Sequence, residues 1–230
     1  TDTPEAPIPA PRPNASLPAE IGGETLRSKA MAGNADAQYE VGVRFAEGRG
    51  VPKDLQKAAL WLERAARQGL PPAQYRYGRL AEKGEGMQKD IAAARRYYEQ
   101  AATVGNVQAM HNLGVLYADG AFGQPDLTAA MNWFRRAADY GVKDSQYNLG
   151  IFYARGISVP KDPAQSFLWF SLAAAQGDKD PGAKRDQIGG KLDAAKITSI
   201  KAEADAWRAK AAPMEANVVT PPATGWDAAT

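Results

Sequence analysis

The sequence contains no cysteine and a single histidine, His111. Without cysteine there are no disulfides, thiolate metal sites or cysteine nucleophiles. With one histidine, any Ser-His-Asp relay depends wholly on His111, and a metal site has little beyond carboxylates to draw on. No run approaches 18 apolar residues, so no segment here spans a bilayer as a helix. Neither sign of charge dominates: 28 basic residues stand against 26 acidic ones, a formal net charge of +2. That balance gives no broad basic field for nucleic acid and no acidic tail. The chain opens on Thr1 rather than methionine and shows no signal peptide. It reads as a fragment or processed form whose targeting segment lies upstream.

What the chain does contain is repetition. Glycine recurs at Gly42, Gly78, Gly114 and Gly150, and again at Gly69, Gly105, Gly141 and Gly177. Asp54, Asp90, Asp126 and Asp162 keep the same 36-residue spacing, as do Trp61, Tyr97, Trp133 and Trp169. Alanine pairs fall in register at 65–66, 101–102, 137–138 and 173–174. Fixed self-similarity at this length is the signature of a solenoid of stacked supersecondary units.

Within the first unit, Asn34 is placed to cap a helix whose Ala37, Val41 and Phe45 form one buried face. Gly42 inside that helix costs about 1 kcal/mol against alanine, and its return in every copy points to close helix approach. Residues 48–53 break the helix, Asp54 caps a second one, and Gly69 ends it. The third and fourth units put Phe122 and Ser158 where the earlier turns have Gly50 and Gly86. A different turn shape is predicted for those two.

Prolines at positions 4, 7, 9, 11, 13 and 18 forbid a helix at the start. The chain therefore divides into a proline-rich linker (1–19), an N-terminal half-repeat cap (20–33), four repeats (34–177), C-terminal capping helices (178–209) and a flexible tail (210–230). The last capping helix is predicted to start at Asp193, with Ile197, Ile200, Ala204 and Trp207 on one face.

The unit Ala-x-Ala-Gln-Tyr-x-x-Gly, then Gly-x-Gly-Val-x-Lys-Asp, then Lys-Ala-Ala-x-Trp-x-x-x-Ala-Ala-x-x-Gly resembles the Sel1-like repeat, a relative of the tetratricopeptide repeat. The resemblance implies an all-α, right-handed superhelical solenoid of four antiparallel helix pairs with a concave face, acting as a non-enzymatic scaffold for protein–protein interaction. The lead-in Leu17-Pro18-Ala19-Glu20-Ile21-Gly22-Gly23, the run 39–48 and the run 167–177 are similar to the PodJ-type polar localisation factors of alphaproteobacteria. That likeness implies the periplasmic C-terminal part of a single-pass inner-membrane protein at the cell pole, anchored by a segment upstream of this one.

If positions 37, 41 and 45 face the core, positions 40, 44 and 47 face the groove. One row is then Glu40, Arg76, Asn112 and Asn148, suited to hydrogen bonding an extended peptide backbone. A second, Arg44, Leu80, Leu116 and Phe152, is predicted to be an apolar floor towards the C-terminal half. A third is Glu47, Lys83, Asp119 and Arg155. Arg76 and Arg79 are placed to take a carboxylate bidentately. His111 occupies the slot filled by Tyr39, Tyr75 and Tyr147 in the other copies and reads as an aromatic position at the groove edge, with titration near pH 6.5 as its alternative use. A protein or peptide partner is expected, with peptidoglycan binding, or a role as a free periplasmic signalling regulator, as the alternatives. No cofactor or metal is expected. Gly-x-Gly at 48–50 and 84–86 lacks the longer nucleotide-binding fingerprint, and Glu82 with Glu85 makes a poor glycosidase pair.

Overall fold

The computed structural model describes residues 17–177 and 179–227. Most of the proline-rich linker lies outside the described residues. Among those described, every regular element is helical: α1 (Glu24–Met31), α2 (Ala35–Glu47), α3 (Leu55–Arg67), α4 (Pro71–Lys83), α5 (Ile91–Thr103), α6 (Val107–Ala118), α7 (Leu127–Asp139), α8 (Lys143–Arg155), α9 (Pro163–Ala174), α10 (Lys179–Gly189), α11 (Ala194–Ala206) and α12 (Met214–Asn217). A short 3-10 turn, Ala19–Ile21, precedes them. The architecture is an all-α solenoid of helix-turn-helix repeats.

The repeated polar residues start the helices. Each second helix of a pair begins where an aspartate side chain accepts a backbone N–H three residues on: Asp54 from Lys57 at 2.9 Å, Asp90 from Ala93 at 2.8 Å, Asp126 from Ala129 at 2.8 Å and Asp162 from Gln165 at 3.0 Å. Asn34 and Asn106 do the same for α2 and α6. These bonds satisfy N–H groups that the first helical turn leaves without partners. Helix α4 lacks such a cap but carries proline in its first turn, where no N–H is needed.

The chain forms two compact units: residues up to Ala101 together with those from Met214 on, and Ala102–Pro213. In the first unit α1 packs on α2, α2 on α3 and α3 on α4. In the second α6 packs on α7, α7 on α8, α8 on α9, and α9 on both α10 and α11.

The helical glycines set the distance between paired helices. A Cβ on Gly42 would stand 2.7 Å from Leu62 Cγ, on Gly78 2.8 Å from Tyr98, and on Gly114 and Gly150 2.6 Å from Phe134 and Phe170. Each partner lies 20 residues downstream, one position beyond the repeated Trp/Tyr series. Of that series Trp61, Tyr97 and Trp169 are buried, whereas Trp133 is half-buried.

Two expectations need correction. Ser158 keeps the left-handed backbone (φ 58°) of Gly50 (76°) and Gly86 (74°), so the fourth turn retains that conformation despite losing its glycine. Residues 210–230 also do not form a structureless tail over their described part. Helix α12 packs on α4, Ala216 is buried, and Trp226 joins the core of Leu17, Ile21, Leu26, Ala30, Val41, Phe45 and Trp61. A lone tryptophan among small residues carries no periodic signal, but its large apolar surface is still driven out of water.

Candidate interaction surface

The first helices of the pairs carry the three predicted rows, and burial separates them. Glu47, Lys83, Asp119 and Arg155 are exposed. Glu40, Arg76, Asn112 and Asn148 are half-buried, as are Arg79 and His111. The predicted apolar floor is not on the surface. Leu80 packs with Val43, Tyr77 and Tyr97, and Phe152 meets the Phe134 ring edge-on at 5.8 Å, while Leu116 and Arg44 are also buried. The reason is geometric. A helix inside a stack has neighbours on two sides, so its apolar arc is wider than the single stripe through 37, 41 and 45.

In the first unit the charged residues form a linked set. Arg44 Nε donates to Glu40 Oε1 at 2.7 Å, and Arg49 Nη1 reaches the same oxygen at 3.2 Å. Arg49 Nε also pairs with Glu47 Oε2 at 2.9 Å. Arg76 donates to Tyr39 Oη at 3.1 Å and lies 3.5 Å from Glu47 Oε1. Arg44 goes further: Nη1 donates to Ile21 O at 2.9 Å, while Nη1 and Nη2 each reach a different oxygen of Asp227 at 2.8 Å. The bidentate hydrogen bonds from Arg44 pull the Asp227 carboxyl below its usual range, and the same bonds raise the guanidinium.

The aromatic slot links successive first helices. Tyr39 accepts from Arg76 on α4, His111 Nδ1 shares a 2.8 Å hydrogen bond with Ser145 Oγ on α8, and Tyr147 Oη donates to Asp180 on α10 at 2.7 Å. The His111 ring lies 5.7 Å from Phe134, as Tyr75 lies 6.1 Å from Tyr98 and Tyr147 lies 5.6 Å from Phe170. Burial pushes the His111 imidazole below its ordinary value, opposed by the charge of Asp144. The folded protein therefore binds this proton less readily than the unfolded chain does. Both states are neutral at high pH, and as pH falls through about 6.5 the unfolded chain protonates first, so stability drops. His111→Tyr is expected to flatten the rise in urea midpoint between pH 5 and pH 7, measured by circular dichroism against the parent.

A buried row escapes a reading of the sequence alone. Gln38, Gln74 and Gln146 each donate an amide N–H to a carbonyl eight residues earlier, Ala30, Ala66 and Ala138, at 3.2–3.3 Å. Their Oε1 or Nε2 atoms meet further glutamines: Gln68 and Gln176 donate to Gln38 and Gln146 at 2.7 and 2.9 Å, and Gln74 donates to Gln100 at 2.9 Å. These amides satisfy carbonyls at the end of the preceding helix, groups that are costly to bury unpaired. The available signal is the 36-residue spacing of those glutamines, with Met110 replacing the amide in the third copy.

Three described cavities, of about 170, 350 and 250 Å³, contain no histidine in their linings. Glu82 accepts the Tyr98 hydroxyl at 2.7 Å. Among the described residues no group of three or more acidic or histidine side chains converges on a metal position, and no helix is long and apolar enough to cross a membrane.

Comparison with known proteins places these features. The Sel1 repeat family model matches residues 35–70, 71–106, 107–141 and 143–178, more than half of the chain. A protective antigen of uropathogenic Escherichia coli displaying an SLR fold is 41% identical, with a TM-score of 0.65 over 67% of this chain. The match takes in 33% of that antigen, so this chain spans about a third of its length. A Sel1 repeat protein from Oxalobacter formigenes is 28% identical, with a TM-score of 0.67 over 80% of this chain and 78% of its own. No curated protein matches the sequence.

Proposed function

We propose, from the premise that this chain belongs to the Sel1 repeat family and is a protein-interaction scaffold, that it is the periplasmic repeat module of a bacterial polar localisation factor and holds an extended segment of a partner protein. The single observation that supports a binding role is the exposed third row. Its side chains, Glu47 and Lys83 in one unit and Asp119 and Arg155 in the other, stand at the C-terminal ends of helices whose neighbouring rows are buried or half-buried. Charges held on packed helices within each unit favour specificity and orientation of a partner more than raw affinity. The polar location is supported by the lead-in 17–23 and the runs 39–48 and 167–177.

The test is capture from solubilised envelope fractions by the immobilised protein and by a Lys83→Glu/Arg155→Glu variant. A partner retained by the parent and depleted at least about tenfold by the charge reversal supports the reading. Equal capture by both proteins overturns it, and sedimentation with purified sacculi in the absence of protein partners transfers the role to cell-wall binding. Both proteins must show the same far-ultraviolet circular dichroism, which separates lost contact from lost fold.

A further inference from the structure

We infer that the Arg44 surface of the first unit is a receptor for an aromatic residue followed directly by a carboxylate, and that residues 216–227 occupy it as a built-in stand-in for the partner. The inference rests on the scaffold reading above and names the ligand chemistry of one of its surfaces.

The occupying segment is held at its two ends. Ala216, in α12, is 1% exposed, and Trp226 is 8% exposed. Between them, residues 217–225 are all half-buried or exposed, and Val218 is 56% exposed. Within this stretch Gly225 N–H donates to Pro222 O at 2.7 Å, a bond local to the segment. The segment thus meets the unit as a bound peptide would, through buried anchor residues joined by more exposed chain.

The terminal anchor uses two kinds of chemistry side by side. The Trp226 ring enters the apolar cluster of Leu17, Ile21 and Leu26, with Lys29 Nζ 6.0 Å from its centroid. The Asp227 carboxylate takes the two-pronged bond from Arg44, and its Oδ1 also accepts from Gly23 N–H at 3.1 Å. Its side chain stays 60% exposed, whereas that of Arg44 is 10% exposed. The acceptor is therefore open to exchange while the donor is fixed.

The receptor half is built without the segment. Glu40 and Ile21 O orient the guanidinium from α2 and from the 3-10 turn. Gly22 leaves room for it: a Cβ there would stand 2.6 Å from Arg44 Nη1 and 2.9 Å from Asp227 Oδ1. A buried arginine presenting a bidentate fork beside an apolar pocket selects a carboxylate next to a large ring. Such a preorganised site gains affinity because little has to be ordered on binding. A partner in solution must, however, displace a tethered competitor whose effective concentration is of about millimolar order.

The experiment uses a fluorescein-labelled peptide with the sequence of residues 217–227, titrated by anisotropy. Three proteins are compared: the parent chain, a Trp226→Ala/Asp227→Ala variant with the anchors removed, and that variant carrying Arg44→Gln. Arg49 still pairs with Glu40 in the last. The peptide is expected to bind the variant without anchors at least about tenfold more tightly than the parent, and to lose that gain with Arg44→Gln. A peptide carrying alanine in place of the tryptophan should not compete. Equal affinity for parent and variant, or affinity indifferent to Arg44, overturns the inference. So does loss of the helical circular dichroism signal on removing the anchors, because Trp226 is then a permanent part of the core. The parallel Asp227→Asn protein leaves the ring in place and tests the carboxylate alone: peptide affinity that does not rise above the parent's also counts against the site. Failure here with charge-sensitive partner capture intact removes this site and leaves the scaffold reading standing; the reverse outcome removes the third row as the partner surface.

Discussion

Gly86→Ala should cost about 3 kcal/mol of folding free energy, far more than an ordinary glycine-to-alanine change. Gly86 has φ of 74°, and a Cβ there would lie 2.0 Å from Leu55 O, 2.3 Å from Leu55 C and 2.8 Å from Gln56 N. The obstacle is backbone at the start of α3, not the end of a flexible side chain, so the turn or the helix must move. Left-handed backbone alone costs a non-glycine residue about 1–2 kcal/mol, and forced repacking adds about 1–3 kcal/mol. Gly69→Ala isolates the first of these, because φ is 85° there and nothing lies within 4 Å of where the new methyl would stand. The two variants should differ in urea midpoint by about as much as Gly69→Ala differs from the parent. Similar midpoints would mean that the contact with α3 carries no energy.

Phe170→Ala is expected to cost about 3–5 kcal/mol, the range for deleting a buried aromatic ring. Phe170 is 2% exposed, meets the Tyr147 ring at 5.6 Å and fills the space beside Gly150. Its dependence on Gly150 makes the test sharper. In the parent, Gly150→Ala drives a methyl to 2.6 Å from Phe170 Cδ1 and should destabilise. With Phe170→Ala already made, the obstruction is gone and alanine's better helix propensity, about 1 kcal/mol, should remain. The sign of Gly150→Ala therefore reverses between the two backgrounds. A double-mutant cycle by urea unfolding reads this directly, and additivity would show that the glycine is not there to admit the ring.

The parts of the fold that are legible in the sequence are those whose causes are local. A cap aspartate needs only an N–H three residues ahead, so Asp54, Asp90, Asp126 and Asp162 announce themselves. The glycine row points to close approach, but not to its partners Leu62, Tyr98, Phe134 and Phe170, because facing positions depend on how the two helices are rotated. The same unknown rotation explains why the spacing puts Leu80, Leu116 and Phe152 on the surface although they are buried. Asp227 is beyond reach for another reason. Its partner Arg44 lies 183 positions away, and neither repetition nor composition links them.

The contact between Gly23 and Asp227 also bears on how the chain matures. Stacked hairpins ordinarily need only their neighbours and can form as each emerges. Here the apolar cluster around Ile21 and Leu26 is sealed by a ring next to a carboxylate that is synthesised 204 positions after Gly23. Closing so long a loop is slow compared with pairing adjacent helices. During vectorial synthesis the opening segment thus waits, partly uncovered, until the residues that finish it have left the ribosome.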